Sequence, residues 1–211
     1  MNLTNYYWYF QSVIPNRICD DIIKYGNSIR DQQASIGGLK DVSGLTEKQV
    51  NDFKKKRKSN VAWLNDEWIY KEIHPYVRSA NENAGWNYDW DWSEACQFTK
   101  YNKGQYYDWH TDILNQPFNR PDNLNFHGKN RKLSLTLSLS DPTTYEGGDL
   151  EFDFRNEDPQ LDKKKSTKIC REILPKGSIV VFPSFVWHRV KPVKKGVRYS
   201  LVIWSVGYPF R

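Results

Sequence analysis

The sequence predicts a mainly β fold preceded by helices, and two observations support this prediction. Apolar residues recur at helical spacing in the first third of the chain, whereas after Gly85 the sequence changes to short apolar runs separated by turn residues. The 211 residues suit one domain with a large core, and two small domains are the alternative. We therefore expect a single domain over residues 1–211, with a helical support region at 1–85 and a β core at 86–211.

Two helices are predicted before residue 59. Isoleucines near helical spacing indicate the first helix in IPNRICDDIIKYGNSIR, residues 14–30. Thr46 and Gln49 have the spacing of a capping box, so a short basic helix is expected in TEKQVNDFKKKRK, residues 46–58. The run KKKRK at 54–58 is interpreted as a solvated helix face or loop, with a nucleic-acid or targeting patch as the alternative.

A third helix is predicted in NDEWIYKEIHPYVRSANENAG, residues 65–85, where an apolar stripe continues past Pro75. Proline removes a helical hydrogen bond, so a kink is expected there, and the neighbouring His74 is assigned a structural role. The tryptophan-rich segment WNYDWDW, residues 86–92, is expected to pack against the core and cover an edge, with an aromatic peptide-binding groove as the alternative.

The remainder of the chain is predicted to form strands. Eight runs have strand character: EACQFTKY, YYDWHTD, KLSLTLSLS, GDLEFDF, KICREIL, GSIVVFP, FVWHRV and VRYSLVIWSV. Leucine alternates with serine and threonine in KLSLTLSLS, so the two faces of that strand are chemically opposite. In an ordinary sandwich the hydroxyl face would meet solvent. If the N-terminal helices cover the leucine face, the hydroxyl face instead lines a polar cavity within a barrel, and alternation in the last strand then points Arg198 inward.

Several polar stretches are predicted to be loops. KKKSTK at 163–168 and KPVKKG at 191–196 fall where hairpin connections are expected. The segment 113–130 is rich in Asn, Pro and Gly and is longer than most loops, so it is a candidate lid, with His127 as a surface residue. The diglycine of YEGGDLEF is expected to form a turn with positive φ.

Composition restricts the cellular setting and the partners. The net charge of +6 would attract an acidic partner such as RNA, a ribonucleoprotein or an acidic protein. Cys19, Cys96 and Cys170 are odd in number and lack CxxC spacing, so neither a disulfide framework nor a zinc finger is indicated. No leader-like segment or membrane-spanning run is recognised. We therefore expect a soluble cytoplasmic protein without membrane association.

The candidate metal ligands are His110, Asp112 and His188. His110 and Asp112 are two positions apart in QYYDWHTD, so as strand residues they would share one face and could bind one ion. His188 follows in a later predicted strand. Two histidines and a carboxylate fit the facial triad of non-haem Fe(II) oxygenases, but a catalytic zinc site takes the same ligands. The triad by itself leaves iron oxygenase and zinc hydrolase open.

Arg198 favours the oxygenase. A buried arginine keeps its proton and needs a carboxylate or phosphate partner, and no acidic residue lies near it in the sequence. A dicarboxylate that chelates iron through a 2-oxo acid and pairs with the guanidinium meets this need. The cosubstrate implied is 2-oxoglutarate, to which Ser138 or Thr136 could add a hydrogen bond.

Three segments together resemble iron and 2-oxoglutarate dioxygenases of the prolyl 4-hydroxylase type, in particular the PKHD-type hydroxylases: QFTKYNKGQYYDWHTD, RKLSLTLSLSDPTTYEGGDLEF and GSIVVFPSFVWHRVKPVKKGVRYSLVIWSVG. The match covers about residues 95–207. It implies a double-stranded β-helix (jelly roll) flanked by helices on one sheet. For the site, the resemblance implies Fe(II) held by His110, Asp112 and His188, 2-oxoglutarate bound by Arg198 and Tyr101, and Tyr107 and Trp204 near the iron and the substrate.

Two details depart from a simple reading of the resemblance. Strict alternation would place Tyr107 opposite His110, so a β-bulge or an irregular strand start is expected between them. In animal prolyl hydroxylases a tyrosine often assists the counterpart of Arg198, whereas the KLSLTLSLS strand offers hydroxyls alone. Ser138 is taken as its substitute in binding the cosubstrate.

The resemblance implies a dioxygenase that hydroxylates a prolyl residue of a protein, of the procollagen-proline 4-hydroxylase type, and converts O₂ and 2-oxoglutarate to succinate. Ascorbate use is implied in the same way. The same chemistry on a free amino acid or an alkylated nucleobase is one alternative. A zinc hydrolase and a non-catalytic basic module that binds RNA or protein are alternatives of other classes.

Overall fold

The computed structural model describes residues 5–29, 32–33, 55–155, 157–161 and 166–209. Two antiparallel sheets and a short third sheet make up most of this part. The eight-stranded sheet contains β1 (Trp8–Phe10), β2 (Gln32–Gln33), β4 (Asn60–Leu64), β5 (Trp92–Ser93), β6 (Cys96–Tyr101), β8 (Asn130–Ser138), β12 (Ile179–Pro183) and β15 (Arg198–Gly207). The five-stranded sheet contains β3 (Arg57–Lys58), β7 (Tyr106–His110), β10 (Leu150–Asp153), β11 (Thr167–Ile169) and β13 (Trp187–Val190).

Strand order differs from chain order in both sheets. The larger sheet runs β1-β12-β8-β15-β6-β4-β2, with β5 beside β15, and the smaller sheet runs β11-β10-β13-β7-β3. A separate ribbon pairs β9 (Tyr145–Gly147) with β14 (Val193–Gly196). Two α-helices are described, α1 (Asn16–Ser28) and α2 (Glu67–Asn83), together with 3-10 turns at Pro142–Thr144 and Arg171–Ile173.

Both helices cover the outer face of the larger sheet. The four leucines of β8 and the segment that follows it are buried in one core cluster with Ile14, Ile18, Ile69 and Ile73. Leu201 and Ile203 of β15 belong to the same cluster. Burial of these side chains is the main favourable contribution to folding, at about 1.5–3 kcal/mol for each fully buried leucine or isoleucine. The prediction that helices cover the leucine face is confirmed.

The opposite face of the larger sheet looks into the molecule and is polar along much of its length. Ser134, Thr136 and Ser138 of β8 are buried there, and Ser200 lies directly across from Ser138. A second core cluster fills the apolar part of the interior, where the Phe152 ring of β10 lies 5.0 Å from the Phe182 ring of β12. The fold is therefore a double-stranded β-helix with helices on one sheet, as the resemblance implied.

The helix predictions had different outcomes. The first and third helices are confirmed as α1 and α2, and α2 continues through Pro75. Residues 46–54 of the proposed second helix lie outside the described residues. Lys55 and Lys56 are helical as predicted, whereas the prediction is wrong for Arg57–Lys58, which form β3 and pair with Tyr106 and Tyr107 of β7.

The region 1–85 is also less helical than predicted. It contributes β1, β2 and β4 to the larger sheet and β3 to the smaller one. These strands have two to five residues each, too few for an alternating pattern to stand out. Cross-strand hydrogen bonds, which the local sequence does not encode, decide their conformation.

Most of the predicted strands in the second part of the chain are confirmed, with two corrections. KICREIL is only partly a strand, because Thr167–Ile169 form β11 and Arg171–Ile173 form a 3-10 turn. KPVKKG is not a plain loop, since Val193–Gly196 form β14. Residues 163–165 of KKKSTK lie outside the described residues. Segment 113–130 has no helix or strand before Asn130, and its role as a lid remains a prediction.

Cys19, Cys96 and Cys170 are free and buried. Among the described residues, no helix combines the length and the apolar content that a membrane crossing requires.

Candidate metal and cosubstrate site

The structure brings His110, Asp112 and His188 together. His188 on β13 pairs directly with His110 on β7, and one ligand atom from each of the three residues lies within 4.8 Å of the others. The Nε2 atom of His188 is 3.4 Å from Oδ2 of Asp112, and that of His110 is 3.8 Å from Oδ1. All three side chains are at least mostly buried.

Backbone carbonyls determine which nitrogen of each imidazole can bind a metal. Nδ1 of His110 is 2.7 Å from the carbonyl oxygen of Asp108, and Nδ1 of His188 is 3.0 Å from that of Val186. A carbonyl oxygen only accepts, so each Nδ1 carries the proton and donates it. Each Nε2 then presents its lone pair towards the other ligands, which is the tautomer that a metal needs.

Asp112 reaches the site from a bend and not from a strand. The sequence argument placed it on β7, but the strand ends at His110. Ser184 positions the bend, because its carbonyl oxygen accepts hydrogen bonds from the backbone nitrogens of Asp112 and Ile113, at 2.8 and 2.9 Å. Ser134 then fixes the carboxylate by donating to Oδ2 at 2.7 Å, and its hydroxyl lies 3.0 Å from that of Ser184.

The electrostatics leave the site ready for a cation. Burial is the main cause that lowers the pKa of His110 well below its ordinary value, and His188 lowers it further. Burial by itself would raise the pKa of Asp112, but the neighbouring His188, His110 and Arg131 outweigh it and hold that pKa below its ordinary value. A neutral imidazole and an ionised carboxylate are the forms that coordinate a divalent metal.

Tyr107 lies beside the triad because of the irregularity predicted in β7. Tyr107 pairs with Val190 and His110 pairs with His188, so the register shifts between the two pairs. The extra residue on β7 turns Tyr107 to the same side as His110, and their rings stack with centroids 3.5 Å apart and planes 10° apart. Burial raises the pKa of Tyr107 to about 12, so the phenol remains protonated.

Arg198 points into the interior from the first residue of β15 and is 3% exposed. Across the described ranges, no carboxylate forms an ion pair with its guanidinium, whose Nη1 donates to the hydroxyl of Ser200 at 3.3 Å. Tyr101 lies directly across on β6, with its ring centroid 5.6 Å from Cζ of Arg198. Ser138 faces Ser200 across the strand pair, so the hydroxyl that contacts Arg198 is one that the sequence analysis did not select.

The diglycine supplies the turn that was predicted, and it also makes room for Arg198. Gly147 and Gly148 have φ values of 77° and 69°, in the region that favours glycine. A Cβ atom on Gly148 would lie 2.8 Å from Cδ of Arg198. The turn is therefore part of the wall that positions the guanidinium.

Trp204 lies on the triad's side of β15, directly across from Ser134. Its ring packs under Arg131, with Cζ 3.9 Å from the ring centroid, and its buried Nε1 has no hydrogen-bond partner in the described part of the chain. Arg131 is itself held by Glu94 in a buried ion pair. Arg131 and Glu94 were not predicted from the sequence, because nothing in the local pattern indicates that two residues 37 positions apart form a pair.

Two residues considered as ligands lie elsewhere. Nε2 of His74 is 3.1 Å from the Ser93 hydroxyl and its ring packs against Trp90, in agreement with a structural role. Nδ1 of His127 accepts a hydrogen bond from the backbone of Arg120 within segment 113–130.

These residues fit an iron ion and a dicarboxylate. Two Nε2 lone pairs and a carboxylate leave coordination positions open, as in the facial triad of non-haem iron oxygenases. Arg198, which no described carboxylate neutralises, provides a site for an anionic group on the opposite sheet.

Comparison with known families and proteins identifies the family of the chain. The model of the 2OG-Fe(II) oxygenase superfamily matches residues 96–206. A PKHD-type hydroxylase of Synechococcus sp. (strain CC9902) is 38% identical over 105 residues, which are 50% of this chain and 38% of the relative. A second one, from Synechococcus sp. (strain CC9311), is 33% identical over 150 residues, 68% of this chain and 57% of the relative. The chain thus spans only part of the length of these relatives.

Solved structures share the fold. A viral collagen prolyl hydroxylase of Paramecium Bursaria Chlorella virus-1 aligns over 97% of both chains, with a TM-score of 0.63 and 19% sequence identity. A prolyl-4-hydroxylase of Pseudomonas putida aligns over 96% of this chain and 92% of its own, with a TM-score of 0.62 and 17% identity.

Proposed function

Because the chain belongs to the 2OG-Fe(II) oxygenase superfamily, we propose that it is an iron(II)- and 2-oxoglutarate-dependent dioxygenase that hydroxylates a prolyl residue of a protein. The family implies Fe(II), 2-oxoglutarate and O₂ as the cofactor and cosubstrates. Relatives called PKHD-type hydroxylases and the structural likeness to prolyl hydroxylases support the prolyl substrate.

One observation carries the proposal. The triad lies at β7 and β13 of the smaller sheet, whereas Arg198, without a described acidic partner, extends from β15 of the larger sheet. A small diacid bound between the sheets would satisfy both. A zinc hydrolase would need the triad but would leave a buried cation uncompensated, which is costly.

Each residue of the site has a proposed role. His110, Asp112 and His188 hold the metal, and the backbone carbonyls behind the imidazoles keep them oriented. Arg198 binds the distal carboxylate of 2-oxoglutarate, with Tyr101 and Ser138 as further contacts. Tyr107 and Trp204 position the substrate. Iron, when bound, would supply the O₂ chemistry by which 2-oxoglutarate is oxidatively decarboxylated to succinate and CO₂ and the target carbon is hydroxylated.

Other expectations from the sequence have less support. Hydroxylation of a free amino acid or an alkylated nucleobase would use the same site with a different substrate. The intact triad and family membership argue against a non-catalytic RNA-binding module. Ascorbate use, a procollagen-type substrate, an acidic or ribonucleoprotein partner and a cytoplasmic location stay predictions.

The test is a search for oxygen atoms that the enzyme adds to proteins. Purified enzyme is incubated with Fe(II), 2-oxoglutarate, air and a lysate of its source, and peptides are searched for added oxygen (about 16 Da) that depends on 2-oxoglutarate. We expect modified prolines, and none with Asp112→Ala, because loss of the carboxylate ligand weakens iron binding.

A matched control is Asp141→Ala, which removes a carboxylate from an exposed turn. It should retain full activity. Oxygen added equally by wild type and Asp112→Ala would refute the assignment, and oxygen added to nucleic acid instead of protein would redirect it to the nucleobase alternative.

A further inference from the structure

Arg57 is a buried arginine whose guanidinium is incompletely bonded. It is 6% exposed, at the start of β3. Its Nε donates to the hydroxyl of Ser59 at 2.9 Å and its Nη1 donates to Oε1 of Gln97 at 3.2 Å. Its Nη2 is buried and has no hydrogen-bond partner among the residues that the structure describes. A buried donor without an acceptor is unfavourable, so this nitrogen marks a position where an acceptor would bind.

The charge of Arg57 also lacks a counter-ion. Another buried arginine, Arg131, pairs with Glu94, but within the ranges that the structure describes no carboxylate pairs with Arg57. Both partners of Arg57 are neutral oxygens. Because a guanidinium keeps its proton in proteins and an uncompensated buried charge is costly, the position suits an anion that arrives with a ligand.

Arg57 is next to the candidate metal site. It pairs with Tyr107 across β3 and β7, and its Cζ lies 4.5 Å from the centroid of the Tyr107 ring. The same ring stacks on His110 at 3.5 Å. Arg198, in contrast, contacts Tyr101 and Ser200. The two arginines therefore have different neighbours, and the distal carboxylate that Arg198 is proposed to bind does not neutralise Arg57.

We propose that Arg57 binds a carboxylate of the substrate, close to the C–H bond that is hydroxylated. This inference rests on the proposed function and specifies its substrate class. The carboxylate is either an acidic side chain beside the target proline or the free carboxylate of an amino acid. Because Nε and Nη1 are already engaged, one nitrogen remains, which fits a single carboxylate oxygen, whereas a phosphate needs more donors.

The sequence around Arg57 favours an anionic substrate as well. Lys56 and Lys58 flank it and are exposed. Clustered positive charge on a protein surface raises the local concentration of ligands of the opposite sign. The basic run that the sequence analysis left as a solvated surface therefore gains a role in attracting the substrate.

The test measures binding separately from turnover. The probes are acetyl-Ala-Pro-Glu-amide and acetyl-Glu-Pro-Ala-amide, their Gln counterparts, and L-proline with prolinamide. Calorimetric titration uses anaerobic enzyme loaded with Fe(II) and 2-oxoglutarate. We expect at least one carboxylate probe to bind about tenfold more tightly than its amide, which is the effect of one charge-assisted hydrogen bond. The pair that shows the preference distinguishes a side-chain carboxylate from a free amino acid.

Two variants assign the preference to Arg57. In Arg57→Gln the preference should shrink to within about twofold, since the amide keeps hydrogen bonding and loses the charge. Lys24→Gln removes the same charge from the exposed face of α1 and should keep the full preference. Equal binding of carboxylate and amide by the wild type, or no binding of any probe, overturns the inference even if Arg57→Gln does not fold.

Hydroxylation of each probe is measured by mass spectrometry. This measurement tests the proposed function separately from the present inference. Equal binding and hydroxylation of acidic and amide peptides would retain a prolyl hydroxylase and overturn the role of Arg57. If a carboxylate probe binds in a way that depends on Arg57 but its proline is not hydroxylated, the role of Arg57 would be supported and prolyl hydroxylation would be refuted.

Discussion

At the residue scale, the site depends on groups that never contact the metal. Ser134 is the clearest case, since its hydroxyl donates to the Asp112 oxygen that also faces His188. With that oxygen engaged, the carboxylate has one preferred orientation. Without the Ser134 hydroxyl, the carboxylate would rotate when no metal is bound and would lose part of its affinity for a cation.

Ser134→Ala should therefore weaken metal binding by about 10- to 100-fold, the usual effect of removing such a partner. Titration of Mn(II) by equilibrium dialysis measures the change without turnover. Ser205→Ala is the matched control, because Ser205 is equally buried and its hydroxyl has no hydrogen-bond partner within the described ranges. An equal loss in both variants would show that general loosening, and not the Asp112 contact, is the cause.

His110 makes stability depend on pH. Burial, and then His188, lower its folded pKa well below the ordinary value, whereas in the unfolded chain it titrates near 6.5. Below about pH 6.5 the unfolded chain takes up a proton here that the folded chain does not. The stability contribution of neutral His110 is therefore complete above that pH and falls as the pH decreases.

The metal-free protein should lose stability as the pH falls below about 6.5, with His110 contributing at most about 1.4 kcal/mol per pH unit. His110→Gln, which has no proton to gain, should show a shallower decrease. Urea unfolding at each pH measures both curves. Parallel curves for the two proteins would contradict this assignment.

At the element scale, two irregularities shape the site. The bulge in β7 turns Tyr107 towards His110, and the glycine turn between β9 and β10 leaves room for Arg198. Regular strands would present alternate residues to opposite faces, so neither arrangement could arise from ideal pairing.

Gly148→Ala should displace the Arg198 side chain and raise the KM for 2-oxoglutarate by about 10- to 100-fold, because a small misplacement of a binding group is costly. Mn(II) affinity should change little. Gly85→Ala is the control, since Gly85 has a similar φ of 73° but nothing within 4 Å of an added Cβ. Both substitutions introduce comparable backbone strain, about 1–3 kcal/mol. A similar KM change in both would refute the steric role of Gly148.

At the scale of the whole molecule, the site connects the two sheets. The proposed metal ligands lie at the smaller sheet and Arg198 belongs to the larger one. A ligand that binds both stabilises their association, and at a concentration 100 times its dissociation constant it adds about 2.7 kcal/mol to the free energy of unfolding.

Mn(II) with 2-oxoglutarate should therefore raise Tm by about 5–10 °C in a protein of this size. Arg198→Gln should keep the increment due to Mn(II) and lose the part due to 2-oxoglutarate, whereas Asp112→Ala should lose both. Thermal unfolding with Mn(II) alone and then with Mn(II) and 2-oxoglutarate together measures the two increments. A full 2-oxoglutarate increment in Arg198→Gln would place the diacid elsewhere.

The sequence by itself determined the fold class, the helices α1 and α2, and the residues proposed to hold metal and cosubstrate. Strong periodicity revealed the leucine and hydroxyl faces of β8. Only a few functions require two imidazoles, one carboxylate and one inward guanidinium. These signals are local, or follow from residue type, so they can be read without coordinates.

The tertiary structure decided the remainder. It moved Asp112 off the strand and made Arg57–Lys58 and Val193–Gly196 into strands, because their pairing partners lie far away in the chain. It also selected Ser134 and Ser200 among several equivalent hydroxyls. Alternation determines which face a side chain occupies, whereas the neighbour it meets there depends on strand order and register, which only the folded chain establishes.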